Sequence, residues 1–325
     1  MVTVLQLVVA ALVLVFIAFL MLIAYLYLTT EPKPYTKINE SEKYFKDPNK
    51  DGSKVAFASI RDKPTKNLSV IVPSYNEEER LPIMLDQTLE FLESRLKKNS
   101  SLTYEIIIVD DGSKDKTSEI GLEYSKQYGT DKVRVLTFEK NRGKGGAVRI
   151  GMFSSRGEYV MFADADGATE FPDLENLEKA MKEINTKEHK MAIVCGSRAH
   201  LQNEAVAKRS IFRTVLMYGF HFLVWFFCVK GIKDTQCGFK LFTQEAALRT
   251  FYNLHIDRWA FDVELLYIAQ RLRIPIAEVA VNWTEIDGSK MTPVWSWLQM
   301  GRDLIFIRLH YVFGIWKIDK TIKSE

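Results

Sequence analysis

Acidic residues follow three short apolar runs of the sequence, each group directly after its run. The three segments are Pro73-Ser-Tyr-Asn-Glu-Glu, Asp110-Asp-Gly-Ser-Lys-Asp and Asp164-Ala-Asp-Gly. A single acidic group of this kind often caps a helix or closes a turn, and that alternative applies to Asp110, Asp111, Asp164 and Asp166. Three such groups on successive apolar runs favour a shared ligand site.

The pair Asp164 and Asp166 has the spacing of a metal site. The two residues flank Ala165, so on a bent strand end both carboxylates can reach one hard cation. Mg²⁺ or Mn²⁺ prefers such oxygen ligands and would take the remaining ones from a diphosphate. Acidic pairs are common in loops, so the position at a strand end gives the prediction its weight.

A glycine-rich segment, Asn141-Arg-Gly-Lys-Gly-Gly-Ala, follows another apolar run and leads into a predicted helix. Its amides and Lys144 could face a phosphate at the helix N-terminus. It is not a Walker loop, because Gly145 follows Lys144 where that motif has Ser or Thr. The alternative is a glycine-rich turn with a solvated lysine.

The elements that must position these residues alternate along the chain. Apolar runs predict strands at 68–73, 104–110, 133–138, 159–164 and 191–196, and helical periodicity predicts helices at 81–97, 117–128, 145–155 and 174–184. This alternation predicts an α/β fold with a doubly wound, mostly parallel sheet. Ligands of such sheets bind at the carboxyl ends of the strands, where the acidic segments lie.

Composition excludes several classes of protein. The chain has 325 residues, 47% hydrophobic, with 44 Lys and Arg against 41 Asp and Glu. A net charge of +3 is too small to indicate a nucleic-acid partner, so an anionic ligand must be held by local charge. Three cysteines without CxxC spacing argue against a disulfide scaffold or a structural zinc site.

The N-terminal end predicts a membrane anchor. No charged residue interrupts 7–28, and a bilayer core needs about 20 apolar residues in a helix. A cleaved signal peptide and a buried core helix are the alternatives. Lysines follow the run and none precedes it, so the positive-inside rule predicts a single-pass protein with a cytosolic body. We expect an anchor at 1–30 and a juxtamembrane linker at 31–66 with at most a short helix.

Two aromatic segments lie late in the chain. Residues 215–229 are apolar but too short to span a bilayer, which predicts an interfacial or buried helix. Residues 293–317 mix aromatic and basic residues, which is typical of a helix pair in the lipid headgroup layer. Core packing or a contact within an oligomer is the alternative. We expect the catalytic domain at 67–290 and membrane-lipid contacts at 291–325.

The acidic and glycine-rich segments, in this order and spacing, resemble the family-two glycosyltransferases of GT-A fold over about residues 68–316. Segments beginning at Cys195, Asp234, Arg258 and Val281 are similar to the branch that glucosylates dolichyl phosphate. The resemblance implies inverting transfer of glucose from UDP-glucose to dolichyl phosphate, at the cytosolic face of the endoplasmic reticulum, for N-glycan precursor assembly. The nearest alternative is mannose transfer from GDP-mannose.

Two further alternatives are less well supported by the sequence. A catalytically silent membrane-tethered scaffold would not need the pair Asp164 and Asp166. A sugar nucleotidyltransferase would need a glycine-rich basic loop after the first strand, and that loop is acidic here.

By this resemblance the uridine would be held by Pro73, Tyr75, Glu77, Asp110 and Asp111. Lys144 would lie near the nucleotide, and Asp164 and Asp166 would serve the metal and the sugar. The sequence departs from the motifs of its relatives at two places, and these departures bear on the predicted metal site and on the predicted reaction. Ala168 replaces a metal-binding Gln of the mannose-transferring relatives, which puts a third protein ligand in doubt. His255-Ile-Asp-Arg-Trp replaces the Gln-x-x-Arg-Trp of processive synthases, which argues against a polymerase.

The expected acceptor determines which other groups are needed. A lipid monophosphate with a second pKa of about 6 is largely dianionic at neutral pH, so its oxygen can attack without a general base. The protein must instead supply positive charge, and arginine suits phosphate. Our candidates are Arg198, Arg209 and Arg213, with Asp262 and Glu264 orienting them or the sugar hydroxyls. Asp166, Asp262, Arg198 and Arg213 form the predicted catalytic set, and His221 and His255 are expected to be packed or hydrogen-bonded.

Overall fold

The computed structural model describes residues 3–322 except 32, 35, 37, 187–189, 202–210, 287 and 289–294. Within 211–218 it describes the helix but not the side chains. The helices are α1 (Val4–Thr29), α2 (Leu81–Lys98), α3 (Thr117–Tyr128), α4 (Lys144–Phe153), α5 (Leu174–Ile184), α6 (Ile211–Phe227), α7 (Gln244–Tyr252), α8 (Phe261–Arg271) and α9 (Trp295–Val312). The strands are β1 (Tyr44–Asp47), β2 (Ser53–Ala56), β3 (Lys66–Ser74), β4 (Tyr104–Asp110), β5 (Val133–Thr137), β6 (Gly157–Ala163), β7 (Ile193–Ser197), β8 (Phe239–Thr243) and β9 (Ile276–Ala280).

The large sheet has seven strands in the order β5-β4-β3-β6-β8-β7-β9. Strands β3 to β6 are parallel, whereas β8 lies antiparallel between β6 and β7. The predicted mostly parallel α/β sheet is therefore confirmed. The central strands are apolar almost throughout because helices cover both faces. Val70 and Val72 pack with α2 and α5, and Ile71 packs on the opposite face with α4 and α8.

The segment at 31–66 contains more structure than predicted. Strands β1 and β2 pair as an antiparallel hairpin, so the expectation of at most a short helix is wrong. Its turn uses Asp51 and Gly52 at φ 51° and 69°, a conformation that Gly and Asp tolerate best. The hairpin is tied to the body, because Phe45 lies under the Arg134 guanidinium at 5.4 Å and Glu42 accepts two hydrogen bonds from Arg142.

Helix α1 is long and apolar enough to cross a membrane. Its 26 residues span about 39 Å, against a hydrocarbon core of about 30 Å. Its last turns dock on the body: Leu26 is 2% exposed within a core cluster, and the Thr30 hydroxyl lies 2.9 Å from His310 Nε2. The C-terminal end of the candidate anchor helix is therefore packed against the body of the protein.

The C-terminal segment differs from the prediction in number of helices. Over the described part of 293–317 there is one helix, α9, so the predicted helix pair is wrong. Helix α9 packs against α6 through Phe220 and Trp297, whose ring centroids are 5.7 Å apart. Residues Phe222, Trp225 and Phe226 of α6 remain 54–57% exposed.

Candidate active site

The loops after β3 and β4 are joined into one wall at the carboxyl edge of the sheet. Asn76 has φ 53°, which Asn adopts more readily than most residues. In this conformation its backbone N–H donates to Ser113 Oγ at 2.9 Å and its side-chain Oδ1 accepts from Lys114 N at 2.8 Å. Pro73 and Tyr75 are half-buried in this wall. The predicted uridine-binding residues therefore lie together.

Glu77 belongs to the same wall but already has a charged partner. Its carboxylate accepts two hydrogen bonds from the Arg80 guanidinium, at 2.7 and 2.6 Å. Burial works to lower the pKa of Arg80, but the carboxylates of Glu77, Asp166 and Asp164 outweigh it and raise that pKa. Arg80 is thus a permanent positive charge beside the acidic pair, and the sequence analysis did not identify it.

Asp110 and Asp111 use their oxygens to shape loops. Asp110 accepts from Ser113 N at 2.8 Å and from the Ser118 hydroxyl. Asp111 accepts from the amides of Arg142 and Gly143 at 2.6 and 2.9 Å. Both residues are at most 3% exposed. These carboxylates therefore bind loop amides and do not cap α3, whose N-cap residue is Lys116.

Asp164 and Asp166 lie at the end of β6 and have fewer partners. Asp166 Oδ1 accepts from Ala168 N at 3.0 Å, and burial, together with the charge of Asp164, raises the Asp166 pKa. Asp164 lies against Gly238 of the neighbouring chain segment, whose carbonyl accepts from Asp164 N at 3.0 Å. A Cβ at Gly238 would overlap the Asp164 carboxylate, so glycine there leaves the space in which that carboxylate lies.

Lys144 begins α4 and points to the acidic pair. Its Nζ lies 2.6 Å from Asp164 Oδ1, and its side chain is 18% exposed. The glycine loop before it is held from both sides, since Gly143 N donates to Asp111 and Gly146 N donates to the Asp257 carbonyl. Two amides expected to face a phosphate are therefore used within the protein, whereas Lys144 is directed into the site.

A second ion pair lies behind the first. Lys240 Nζ is 2.7 Å from Asp262 Oδ1, and the side chains are 0% and 4% exposed. Burial alone would lower the pKa of Lys240, but the charge of Asp262 raises it, and burial raises the pKa of Asp262 against the opposing charges of Lys240 and Lys144. Asp262 also lies within electrostatic reach of Lys144 and Asp164. The described partner of Asp262 is thus a lysine, and the expectation that Asp262 orients the candidate arginines or the sugar hydroxyls stays a prediction.

Among the described residues, Arg198 is held by Asp234, and not by Asp262 or Glu264. The guanidinium donates to both Asp234 oxygens at 2.7 and 2.9 Å and lies 5.4 Å from the Trp283 ring centroid. Arg209 lies outside the described residues, and for Arg213 only the backbone in α6 is described.

Glu264 does not reach the predicted arginines among the contacts described. It accepts from His255 N, Ile256 N and the Tyr311 hydroxyl at 3.0, 2.7 and 2.9 Å. Its Oε1 also lies 3.0 Å from His255 Nδ1, so the expected packed and hydrogen-bonded His255 is confirmed.

A cavity of about 530 Å³ lies beside the two residues that follow Arg198 in the chain, Ala199 and His200. Half of its wall is apolar and half carries basic or polar groups. The lining residues are Ala199, His200, His221, Val224, Trp225, Val229, Ile232, Lys233 and Thr235. The cavity thus runs from the strand end that carries Arg198 to the aromatic face of α6.

The family model of glycosyl transferase family 2 matches residues 69–251. Human dolichyl-phosphate beta-glucosyltransferase is 62% identical over 309 residues, covering 95% of both chains. The chain belongs to the dolichyl-phosphate β-glucosyltransferases. The Saccharomyces cerevisiae member is 47% identical over 262 residues, with 78% of this chain and 77% of that one covered. The protein is therefore a glycosyltransferase.

Solved structures agree with this glycosyltransferase in fold. Glucosyl-3-phosphoglycerate synthase from Mycobacterium tuberculosis, crystallised with Mn²⁺, UDP-glucose and phosphoglyceric acid, has a TM-score of 0.51 at 18% identity. The match covers 78% of this chain and 82% of that one. At this identity the likeness concerns the GT-A fold.

Three residues of the glycosyltransferase's site escaped the sequence analysis: Arg80, Gly238 and Lys240. Lys240 carried a usable signal, because a lysine within the apolar run Phe239–Thr243 must find a buried counter-charge. Gly238 carried none, since its importance depends on Asp164 from another strand.

Proposed function

We propose that this glycosyltransferase transfers glucose from UDP-glucose to dolichyl phosphate with inversion at the anomeric carbon. The observation that carries the proposal is the 62% identity to the human dolichyl-phosphate beta-glucosyltransferase over 95% of the chain. The geometry of the site adds the separate groups that such a reaction needs: a carboxylate pair, lysines beside it and a basic cavity leading to an aromatic surface.

Asp164 and Asp166 would hold a divalent cation, Mg²⁺ or Mn²⁺. Two features fit: the carboxylates are hard oxygen ligands, and Gly238 leaves room for one of them. The described residues contain no cluster of three His, Cys, Asp or Glu suited to a metal, so the donor diphosphate would supply further oxygens. When bound, the cation would neutralise charge on the departing diphosphate.

The wall formed by the loops after β3 and β4 would hold the uridine. Pro73, Tyr75 and Glu77 line one side, and Asp110 and Asp111 fix the other by binding loop amides. Because these loops are already hydrogen-bonded to each other, the wall would bind the nucleoside without first having to be ordered. Lys144 would face the diphosphate.

The acceptor phosphate would bind near Arg198, with Arg209 and Arg213 as further candidates. Arg198 is held in place by Asp234, and Lys233 and His200 line the adjoining cavity. The apolar wall of that cavity would receive the first part of the lipid tail. A dianionic phosphate needs no general base, so Asp262 would act by holding Lys240 and by its charge beside Lys144.

The membrane would lie along α1 and the aromatic faces of α6 and α9. Phe222, Trp225 and Phe226 are 54–57% exposed, and a cluster of exposed aromatic side chains favours a lipid interface. Phe19 of α1 contacts Phe313 at a ring-centroid distance of 5.7 Å, which would bring the end of α9 to the membrane surface. With the lysines after α1, this supports a cytosolic body at the endoplasmic reticulum membrane.

The decisive experiment offers both donors to the purified full-length protein in detergent. We expect glucose transfer from UDP-glucose to dolichyl phosphate, loss of transfer with EDTA, and recovery with Mg²⁺ or Mn²⁺. The anomeric proton coupling of the product, measured by NMR, should indicate the β configuration. Transfer from GDP-mannose alone would overturn the donor assignment, and an α product would overturn the inverting mechanism.

A further inference from the structure

Lys144 occupies an oxygen that the proposed metal would need. Its Nζ lies 2.6 Å from Asp164 Oδ1, and Asp164 is one of two carboxylates that would hold the cation. Both groups are positively charged, so a divalent cation that binds Asp164 Oδ1 competes with the ammonium group for that oxygen and repels it. Binding of the cation therefore favours displacement of the ammonium group.

The pair also offsets a cost of the site itself. Asp164 and Asp166 are two residues apart, and like charges in a half-buried site repel each other. A cation beside Asp164 reduces that repulsion, so Lys144 stabilises the two neighbouring carboxylates while no metal is bound.

The backbone of Lys144 cannot retreat, but its side chain can move. Gly143 has φ +89°, and a Cβ there would come within 2.7 Å of the Asp257 carbonyl oxygen, so the start of α4 is fixed against that segment. The lysine side chain has four rotatable carbon–carbon bonds and a compact charge without preferred bidentate geometry. A change of rotamer would carry the ammonium from Asp164 toward a ligand in the site.

Asp262 would keep the displaced ammonium in the site. Asp262 lies within electrostatic reach of Lys144, and Lys240 holds its carboxylate at 2.7 Å. Charges therefore alternate along Lys240, Asp262, Lys144 and Asp164. Such an arrangement lets Lys144 change partner while opposite charges remain neighbours.

We propose that Lys144 is a placeholder cation: it holds Asp164 before the donor arrives, is displaced by the metal–donor complex, and then pairs with the diphosphate. This inference rests on the proposed function, because it assumes the metal and the nucleotide sugar. It gives Lys144 two successive partners, and Asp262 and Lys240 are positioning residues for that exchange.

The test measures Mn²⁺ binding to the full-length protein in detergent without nucleotide, by electron paramagnetic resonance of free Mn²⁺. If the pair is formed about nine-tenths of the time, K144M should bind Mn²⁺ about tenfold more tightly than the wild type, since the competent state is no longer rare. Lys144→Gln should behave likewise, and Lys144→Arg should keep the wild-type affinity. Lys140→Met, on the exposed part of the same loop, is the matched control and should change nothing.

A second measurement follows UDP binding in the presence of Mn²⁺. Here K144M should bind UDP more weakly than the wild type, the opposite direction to its Mn²⁺ affinity. Unchanged or weaker Mn²⁺ binding by both K144M and K144Q, with wild-type thermal unfolding midpoints, would overturn the placeholder role. If the wild type transfers glucose but neither variant gains Mn²⁺ affinity, the proposed function stands and only the placeholder role of Lys144 is wrong. If K144M gains Mn²⁺ affinity but the wild type transfers no glucose, the placeholder role stands and the proposed function is wrong.

Discussion

The loops after β4 and β6 begin with the same residue type at the same edge of the sheet, yet they have different tasks. Asp110 and Asp111 accept four hydrogen bonds from the protein, three of them from backbone amides. Asp166 accepts one such bond, from Ala168 N, and Asp164 has an ion pair with Lys144. The first pair is occupied in building loops, whereas the second pair has fewer hydrogen-bond partners among the described residues.

The neighbouring elements explain this difference. The loop after β4 lies beside the glycine-rich loop before α4, whose Arg142 and Gly143 amides need acceptors. The loop after β6 lies beside β8, where Gly238 offers space. The donors that neighbouring segments bring to a strand end thus decide how many oxygens of its carboxylate bind groups of the protein. Three predictions test this comparison.

The largest effect is expected for Asp166→Asn. Asparagine can still accept from Ala168 N, so the turn is kept while the charge is lost. We expect glucose transfer to fall on the order of 10²–10³-fold, the range seen when an electrostatic contact to a transition state is removed. The thermal unfolding midpoint should not decrease. Asp51→Asn, on the exposed hairpin turn, is the control, and normal turnover by Asp166→Asn would mean that the acidic pair does not serve the reaction.

Two glycine substitutions should reveal the different roles of the two loops, with smaller effects than Asp166→Asn. Gly238→Ala places a Cβ on the Asp164 carboxylate and should weaken Mn²⁺ binding by about 10–100-fold, as loss of the support of a metal ligand does.

Gly112→Ala is its counterpart in the loop after β4, at φ +73° and with its Cβ 3.0 Å from Asn141 N. It should lower the free energy of unfolding by about 1–2 kcal/mol with little effect on Mn²⁺ binding. Metal titration and guanidinium unfolding of both variants check this, and an exchange of the two outcomes would contradict the comparison.

The third prediction concerns Asp111 and pH. Burial raises the pKa of Asp111 to about 6, although the Arg142 and Gly143 amides oppose it, against about 3.9 in an unfolded chain. The folded state therefore binds more protons than the unfolded state between these values, and stability falls as pH rises from about 4 to about 6.

Relative to Asp111→Asn, the wild type should lose up to about 3 kcal/mol of unfolding free energy across this window and nothing further above it. Guanidinium unfolding at several pH values measures this, with Asp51→Asn expected to follow the wild type. Parallel curves for wild type and Asp111→Asn would show that Asp111 is not buried as an acceptor.

Much of the fold followed from local pattern. The runs at 104–110 and 159–164 are apolar at nearly every position, which is typical of strands covered on both faces, and the acidic ends of these strands led to the edge of the sheet at which we propose the site. The hairpin at 44–56 was missed because its short strands alternate weakly and are stabilised by distant residues, Arg134 and Arg142. The partners of Arg198 and Asp262 were missed because ion pairs form across the sheet.

The sequence by itself determined the α/β class, the candidate anchor helix, the family, and which residue types gather at the carboxyl edge, because periodicity and motif order are properties of the chain. Only the tertiary structure decided which carboxylates are used up by backbone amides, that Gly238 makes room for Asp164, and that Lys144 faces it. The physical reason is that hydrogen bonds and ion pairs depend on distances of a few ångströms between segments that are far apart in the chain. Residue type sets what a group can do, and its neighbours set what remains free to act.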